Sequence, residues 1–429
     1  MIKKSNMQQA EDLQVPAQKT KGRKRKKAPG PYRKMRIAAV ILGIVLLLEC
    51  LYCFVVFSNN ATVRSLREAY IETAMSTMSH HWLAEWFFPD YMIQSVVSRM
   101  DNSQKDQIGI ISKWDNQDAS APTKPSETTP QEKERAARAE FFELFWELDS
   151  TTFEEYVMEH PEVLADGWEN IKINESGLDD DGTSIRTTMG EQVLAIDAKN
   201  KILIVRVKGS GFMGALAIAK DPSQLSLAPS EYIGSYGQQL HTIAGENNAL
   251  LAMTGSGFMD PEGMGDGGEI AGYAMCRGKS YGDHFPGGYK RIELHEDNLL
   301  YIRDSDQPVS ADTTDAVEFS PALIVDGEAL VDEYSGWYAI NPRACIGQSS
   351  RKEVLMLVIE GRMIGRSLGC ELAACVKILQ QHDCYQAMNL DGGTSAVLWY
   401  DGQYVTKCSN TSIVSRLMPN AWVYGTMES

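Results

Sequence analysis

The sequence lacks the patterns by which many metal and nucleotide sites are recognised. It contains no His-Glu-x-x-His motif, and outside the apolar segment near the N-terminus none of the eight cysteines shows the paired C-x-x-C spacing of a zinc site. The glycine-rich run that begins at Gly255 lacks the Lys-Ser or Lys-Thr ending of a nucleotide-binding P-loop. The sequence therefore predicts neither a metal site nor a cofactor.

Positive charge is scarce beyond residue 36. Residues 1–36 hold 12 Lys and Arg against 2 Asp and Glu, a balance of +10 within a total of −16, which leaves −26 for the rest of the chain. An acidic surface disfavours long-range attraction of nucleic acid. We therefore expect no nucleic-acid partner, and we expect any phosphate to be bound by a local basic pocket. For the basic tail, a role in topology and lipid-headgroup contact is favoured over nucleic-acid binding.

One long apolar run lies near the N-terminus. Ile37 to Phe57 spans 21 positions with Glu49 as its only charged residue, about the length that crosses a bilayer core. A cleaved signal peptide is the alternative, but its apolar region would be shorter and would end in small residues. Nine Lys and Arg between residues 21 and 36 predict a cytoplasmic N-terminus. The sequence thus predicts a single-pass cell-membrane protein that contacts the lipid bilayer through residues 37–57, with its C-terminal domain extracellular.

After this run, the residue pattern and the secondary structure that it predicts change several times along the chain. Helical periodicity and a Pro-rich stretch come first, and from Ile171 onward short β-prone runs alternate with helical runs, which is typical of an α+β fold. We predict a mixed β-sheet domain with flanking helices, preceded by a transmembrane helix and a helical stalk. The predicted order is a basic cytoplasmic tail (1–36), the transmembrane helix (37–57), the stalk (58–114), a linker (115–131), a helical and connecting segment (132–189) and the sheet domain (190–429).

The block from Ser367 to Ser395 is the most informative part of the sequence. Apolar residues spaced 4, 4 and 3 apart from Leu368 to Leu379 predict a helix that Ser367 caps, with Glu371 in its first turns. An apolar strand follows and gives way at Asp391 to two glycines, which permit close approach to the backbone. The simplest alternative is a hairpin whose Asp and Asn side chains only satisfy turn amides.

This block is one of five segments that together resemble the phosphodiester glycosidase family across roughly residues 190–426. The five segments are Ala252 to Gly268, Phe319 to Gly327, Pro342 to Gly347, Ser367 to Ser395 and Arg416 to Ala421. The resemblance implies a membrane-anchored hydrolase that cleaves a sugar-1-phosphodiester. Its expected substrate is a sugar phosphodiester or a surface glycan, in exopolysaccharide or cell-wall glycan metabolism.

The resemblance also assigns roles to residues. Asp391 and Glu371 are the expected catalytic carboxylates, without a decision as to which is the acid, and Arg343 is the expected phosphate clamp. The expected substrate-binding residues are Ser256, Gly257, Asn389, Gly392, Gly393, Thr394, Ser395 and Arg416. For either arginine the alternative is an ordinary surface ion pair, which contributes little to stability.

A function from another class stays open. The same cleft would suit a noncatalytic carbohydrate-binding or scaffold protein of exopolysaccharide assembly. The presence of Asp391 and Glu371 argues against it, whereas Thr394 and the Met253-Thr254 pair, where the family usually has other residues, keep it open.

Overall fold

The computed structural model describes residues 31–114, 130–333 and 335–425, and the chain divides into two compact units, Met1–Asn59 and Asn60–Ser429. In the first unit, helix α1 runs from Pro31 to Phe57. Its segment Tyr32–Phe57 is long and apolar enough to cross a membrane, by length and composition. The predicted span 37–57 lies within this helix. Most of the predicted basic tail and of the predicted linker falls outside the described residues.

In the described residues of the second unit there are seven further α-helices. They are α2 (Ala61–Met75), α3 (Trp82–Glu85), α4 (Asp90–Lys105), α5 (Pro130–Leu144), α6 (Ser150–Glu159), α7 (Leu240–Glu246) and α8 (Leu372–Gln381). Asn60 starts α2 by accepting hydrogen bonds from two backbone N–H groups in its first turn, which is the usual way an N-cap satisfies free donors.

The predicted stalk is not confirmed, because residues 61–114 pack against the sheet domain. Glu72 Oε1 accepts a hydrogen bond from the Ala339 N–H, and Trp114 Nε1 donates to the Leu300 carbonyl. Ile71 and Ala74 are buried, while Leu66 stays 68% exposed. The segment is helical, as its periodicity predicts, but the apolar face of α2 is buried against the domain.

Three sheets form the rest of the unit. The first has nine strands in the order β1 (Lys172–Asn174), β2 (Gln192–Asp197), β3 (Ile202–Gly209), β4 (Phe212–Ala219), β15 (Val354–Ile359), β14 (Arg343–Ser349), β16 (Cys384–Asn389), β12 (Ala322–Val325) and β13 (Glu328–Ala329). The second has the order β10 (Leu300–Asp304), β9 (Lys290–His295), β11 (Thr313–Phe319), β7 (Ala274–Cys276) and β8 (Lys279–Tyr281). The third has the order β18 (Gln403–Tyr404), β17 (Leu398–Tyr400), β6 (Leu251–Thr254), β19 (Asn420–Tyr424) and β5 (Leu225–Pro229).

The α+β class predicted from the sequence is confirmed, with a difference in sheet type. Every strand pairing in the described residues is antiparallel, so the parallel pairs that a mixed sheet would contain do not occur there. A continuous run of apolar residues suggests a parallel strand, because parallel sheets are usually covered on both faces. In this protein the nine-stranded antiparallel sheet is covered on both faces, and its strands therefore show the same continuous apolar runs.

The nine-stranded sheet is the central layer. Ile202 and Ile204 of β3 face a core shared with the two smaller sheets, while Leu203 and Val205 face a core that includes Phe145 and helix α8. Alternate residues of one strand thus enter two cores, which follows from the two-residue period of a strand. Because Phe145 follows α5, the predicted segment 132–189 shares its core with the predicted domain 190–429.

Helix α8 begins later than the sequence suggests. It starts at Leu372 with Glu371 as the N-cap, whereas Ser367 lies in a loop and donates its hydroxyl to the Glu360 carbonyl. Gly369, at φ +102°, is in a conformation that a helix cannot contain. The predicted helix start at Ser367 and the inward position of Leu368 are therefore wrong.

A buried ion cluster joins the helical segment to the central sheet. Lys220, 2% exposed at the end of β4, lies 2.5 Å from Glu147 Oε1 and 2.8 Å from Glu353 Oε1. Burial raises the pKa of the Glu147 carboxyl, and the Lys220 ammonium opposes that rise. Each carboxylate is tolerable there only while the ammonium is present.

Replacing Lys220 with Met should destabilise the protein strongly, because two buried carboxylates lose their cation. We expect a loss of about 3–5 kcal/mol in the free energy of unfolding. Chemical denaturation followed by tryptophan fluorescence measures it. Lys208→Met, at an exposed position of β3, is the matched control and should shift stability by no more than about 0.5 kcal/mol. Equal stability of the two variants would contradict the account.

Candidate active site

Strand β16 carries the central residues of the site. It lies between β14 and β12, and the chain beyond it is held by the Leu390 N–H donating to the Ala344 carbonyl. The turn that follows needs both of its glycines. A Cβ at Gly392 would lie 2.6 Å from the Pro342 carbonyl oxygen, and Gly393 has φ +59°. The return strand is β17, and a turn at Asp401-Gly402 joins it to β18.

Asp391 follows directly after Leu390 and is half-buried. Burial raises the pKa of its carboxyl to about 6, because water no longer fully solvates the charged form. A hydrogen bond from Ser395 and the charges of Arg416 and Arg362 lower the pKa, while Asp260 raises it further. A carboxyl that titrates near pH 6 can exchange protons with a substrate under ordinary conditions.

Asp260 is the second carboxylate beside Asp391, and its environment acts in the opposite direction. Burial alone would raise its pKa, but hydrogen bonds from Arg416 and from the Gly265 N–H give a net lowering. Arg416 donates hydrogen bonds to both carboxylate oxygens of Asp260, with 2.8 Å between Nη2 and Oδ1. Its guanidinium lies over the Phe258 ring, 4.8 Å from the ring centroid. Two neighbouring carboxyls with separated pKa values are typical of acid–base sites.

Arg362 supplies a second positive charge near Asp391. Its backbone has φ +60°, which is unusual for a residue with a side chain, and its guanidinium donates to Asn341 Oδ1 at 3.3 Å. Arg362 as a whole residue is exposed. Partial burial of its guanidinium group lowers the pKa, and the charge of the nearby Arg343 lowers it further. Among the ion pairs of the described residues, none includes Arg362. Its charge is therefore available to an anionic ligand.

Glu371 and Arg343 lie next to each other, and Arg343 is also close to Arg362. Burial raises the pKa of the Glu371 carboxyl, and the charge of Arg343 partly opposes that rise. Arg343 itself donates from Nε to the Cys370 carbonyl at 3.1 Å and also donates to the Ala339 carbonyl. Two of its donors are thus committed to the protein. In the described part of the chain, no interaction joins Asp391 directly to Glu371, so their action as a pair stays a prediction.

Two predicted substrate-binding residues lie beneath the surface of the site. Ser256 is 1% exposed, and both its N–H and its hydroxyl donate to Asn420 Oδ1, at 2.8 and 3.0 Å. A Cβ at Gly257 would lie 3.2 Å from the Phe319 ring. These contacts explain on structural grounds why a serine occupies position 256 and a glycine position 257. They also show how β6 and β19 hold the glycine-rich loop in place.

Asn389 and Thr394 are placed differently from each other. Asn389 is 4% exposed and donates from Nδ2 to the Ser320 carbonyl at 2.8 Å, while its Oδ1 has no partner. A buried acceptor without a partner costs about 1–3 kcal/mol, so such an oxygen can bind a donor on a ligand. Thr394 Oγ1 accepts from the Ser409 hydroxyl at 3.2 Å and is half-buried.

Helix α2 supports the loop that precedes Arg343. The backbone N–H groups of Ala339 and Ile340 donate to Glu72 and Thr73, and Asn341 Nδ2 donates to the Ser76 hydroxyl at 2.9 Å. Burial raises the pKa of the Glu72 carboxyl to about 7. The segment predicted as a stalk is thus a support of the candidate site.

Sequence reasoning missed three residues of the site. Asp260 lies within a segment that carries the family resemblance, so its position could have suggested it. Arg362 stands outside the patterned segments, and only the folded chain brings it to Asp391. Glu72 could have been suspected, because a carboxylate follows Ile71 on the face of α2 that turns out to be buried.

Comparison with known proteins finds one family model that matches part of this chain. The family model described as phosphodiester glycosidase matches residues 247–424, a range that includes Asp260, Arg362, Asp391 and Arg416. No match was found among curated proteins.

Two solved structures are similar to the chain at low identity. One is the zebrafish N-acetylglucosamine-1-phosphodiester alpha-N-acetylglucosaminidase catalytic domain, auto-inhibited by its pro-peptide, with 16% identity, a TM-score of 0.42, and coverage of 53% of this chain and 82% of that chain. The other is a hypothetical protein from Synechocystis, with 14% identity, a TM-score of 0.38, and coverage of 54% of this chain and 63% of that chain.

Asp391→Asn should make the protein more stable at pH 8. The folded state holds the carboxyl proton more tightly than the unfolded state, so stability is lost as pH rises from about 4 through about 6. The neutral amide avoids that loss. Discounting for partial exposure, we expect a gain of about 1–2 kcal/mol at pH 8 and little change at pH 4.

Urea denaturation at both pH values measures this effect. Asp166→Asn, at an exposed position, is the control and should change stability little at either pH. A loss of stability in Asp391→Asn at pH 8 would show that the arginines outweigh the burial of the carboxylate.

Proposed function

Since residues 247–424 are a domain of the phosphodiester glycosidase family, we propose that the protein hydrolyses the bond between a sugar C1 and a phosphate oxygen in a sugar-1-phosphodiester. The observation that supports this most is the surroundings of Asp391. Its carboxyl has a pKa of about 6 and lies beside Arg362, a cation without a carboxylate partner among the described ion pairs. A proton acceptor next to an anion site is what this reaction requires.

The roles follow from the chemistry of the leaving group. A phosphate monoester leaves readily without protonation, so the main demands are neutralisation of its charge and stabilisation of an oxocarbenium-like carbon. Arg362 and the nearby Arg343 supply the positive charge that neutralises the departing phosphate. Asp391 accepts a proton from the attacking water once it is ionised, and Glu371 is the second carboxylate. Asp260 stays ionised and holds Arg416 in place.

Hydrolysis of N-acetylglucosamine-1-phosphodiesters by the full-length protein in detergent tests this proposal. Asp391→Asn and Glu371→Gln should each lower kcat/KM by about 10²-fold or more, since each removes a carboxylate from the reaction. Arg362→Lys should lower it by roughly 10-fold, because a planar donor pair is lost. For the wild type, kcat/KM should fall about tenfold per pH unit below pH 6.

Glu155→Gln, an exposed position on α6, is the control and should keep full activity. Unchanged activity in both carboxylate variants would refute the assignment of the site. Tight glycan binding with no turnover across a broad phosphodiester panel would instead support the noncatalytic carbohydrate-binding alternative.

The apolar helix α1 also bears on where in the cell the reaction takes place. We propose that α1 anchors the chain in the cell membrane and that the second unit faces outward, where it acts on a surface glycan of exopolysaccharide or cell-wall metabolism. The apolar length of Tyr32–Phe57 and the basic residues before it support this orientation.

A C-terminal epitope tag tests the orientation. Protease added to intact cells should remove the tag from the full-length protein, while a cytoplasmic control protein stays uncut. If the tag survives in intact cells and is cut only after lysis, the domain faces inward. Cleavage in the predicted linker alone should not shed residues 130–429, because residues 60–114 belong to the same compact unit.

A further inference from the structure

Three cysteines lie together at the start of helix α8. Cys345 is on β14, Cys370 precedes the helix and Cys375 is on its first turns, and their exposures are 0%, 4% and 0%. The sulfurs of Cys370 and Cys375 are 3.5 Å apart, and the Cys345 thiol lies close enough to interact with Cys375.

The other buried cysteines of the described chain interact with groups of a different kind. Cys276 accepts from Asn420 Nδ2, Cys384 donates to the Gln386 carbonyl, and Cys408 donates to the Thr394 carbonyl. Each is a small apolar residue with a local hydrogen bond, which is the usual state of a buried free cysteine. Contact between thiols is thus a property of the first three.

The contact between Cys370 and Cys375 follows from their positions along the helix. Glu371 is the N-cap, so Cys370 is the residue before the cap and Cys375 is the fourth residue of the helix. These are the two positions whose side chains normally pack as a hydrophobic staple and fix the direction in which the chain enters a helix. Here thiols occupy both positions, so the staple can become covalent.

We propose that Cys370 and Cys375 form a disulfide that fastens the start of helix α8 beside the candidate site. The inference rests on the outward orientation given under the proposed function, because disulfides form and persist in oxidising compartments. It does not depend on the hydrolytic activity.

One of the two cysteine thiolates attacks one sulfur of a disulfide donor RSSR, supplied by a protein or a small molecule of the envelope, and forms a mixed disulfide while RS⁻ leaves. The thiolate of the other cysteine then attacks the sulfur of the first and releases the second RS⁻. The two cysteines lose two protons and two electrons, and the donor becomes two thiols. The buried cysteines are reached during folding, before the core closes.

The bridge would act on the site through the backbone. The Cys370 carbonyl accepts a hydrogen bond from Arg343 Nε at 3.1 Å, and Glu371 is the next residue. Fixing Cys370 to the helix therefore restricts both side chains. Bridge formation needs the sulfurs to close from 3.5 Å to about 2 Å.

Peptide mapping tests the proposal without any activity assay. The full-length protein is purified from membranes, blocked with N-ethylmaleimide under denaturing conditions and digested with trypsin. Cleavage after Arg366 and Lys377 places both cysteines on one peptide, Ser367 to Lys377, whereas Cys345 lies on a separate peptide, Ala344 to Arg351. We expect the first peptide unlabelled and lighter by two hydrogen atoms, and the second labelled.

Two labels on the Ser367 to Lys377 peptide, or a link from it to the Cys345 peptide, would overturn the proposal. A second measurement compares thermal unfolding with and without reductant. The wild type should lose roughly 1–3 °C in Tm on reduction, and Cys370→Ser should show no such loss. Cys384→Ser is the matched control and should keep the loss on reduction. Equal response of the wild type and Cys370→Ser to reductant would contradict the bridge.

If the map shows no bridge while the substrate assay succeeds, the disulfide proposal fails alone. If the bridge is found and no substrate is cleaved, the hydrolase proposal fails and the bridge stands.

Discussion

The burial of one carboxyl group, Asp391, is the constraint on which the rest of the site depends. Strand β16 is flanked on both sides within the nine-stranded sheet, and that sheet is covered on both faces by separate cores. A polar group at the end of such a strand cannot move away from the protein to recover its hydration. Its charged form is disfavoured, and the surrounding arginines compensate only in part.

The two carboxyls near Arg416 show how environment divides roles between like residues. Asp260 receives two arginine donors and a backbone N–H, so it stays charged, whereas Asp391 receives one serine hydroxyl and more distant charges. Their separation in pKa is a consequence of hydrogen bonding more than of burial, since burial acts on both. Arg416 is already paired with Asp260, whereas no ion pair of the described residues includes Arg362.

Some strands can be located from the hydrophobic pattern of the sequence. Runs such as Val354 to Ile359 coincide with a strand because both faces of that strand are buried. The start of α8 was misplaced, because apolar spacing extends back to Leu368 although Gly369 interrupts the helix. Arg362 could not be found from the sequence, since its position depends on a positive φ and on packing against Gly393, which lies far along the chain.

The position of bond cleavage tests the central claim most directly. Hydrolysis is run in water enriched in oxygen-18, and the phosphate-containing product is examined by mass spectrometry. If carboxylates act at the sugar carbon and arginines neutralise the departing phosphate, the label enters the sugar and the phosphate product carries none. Label in the phosphate product would mean attack at phosphorus, and it would contradict a glycosidase assignment for this site.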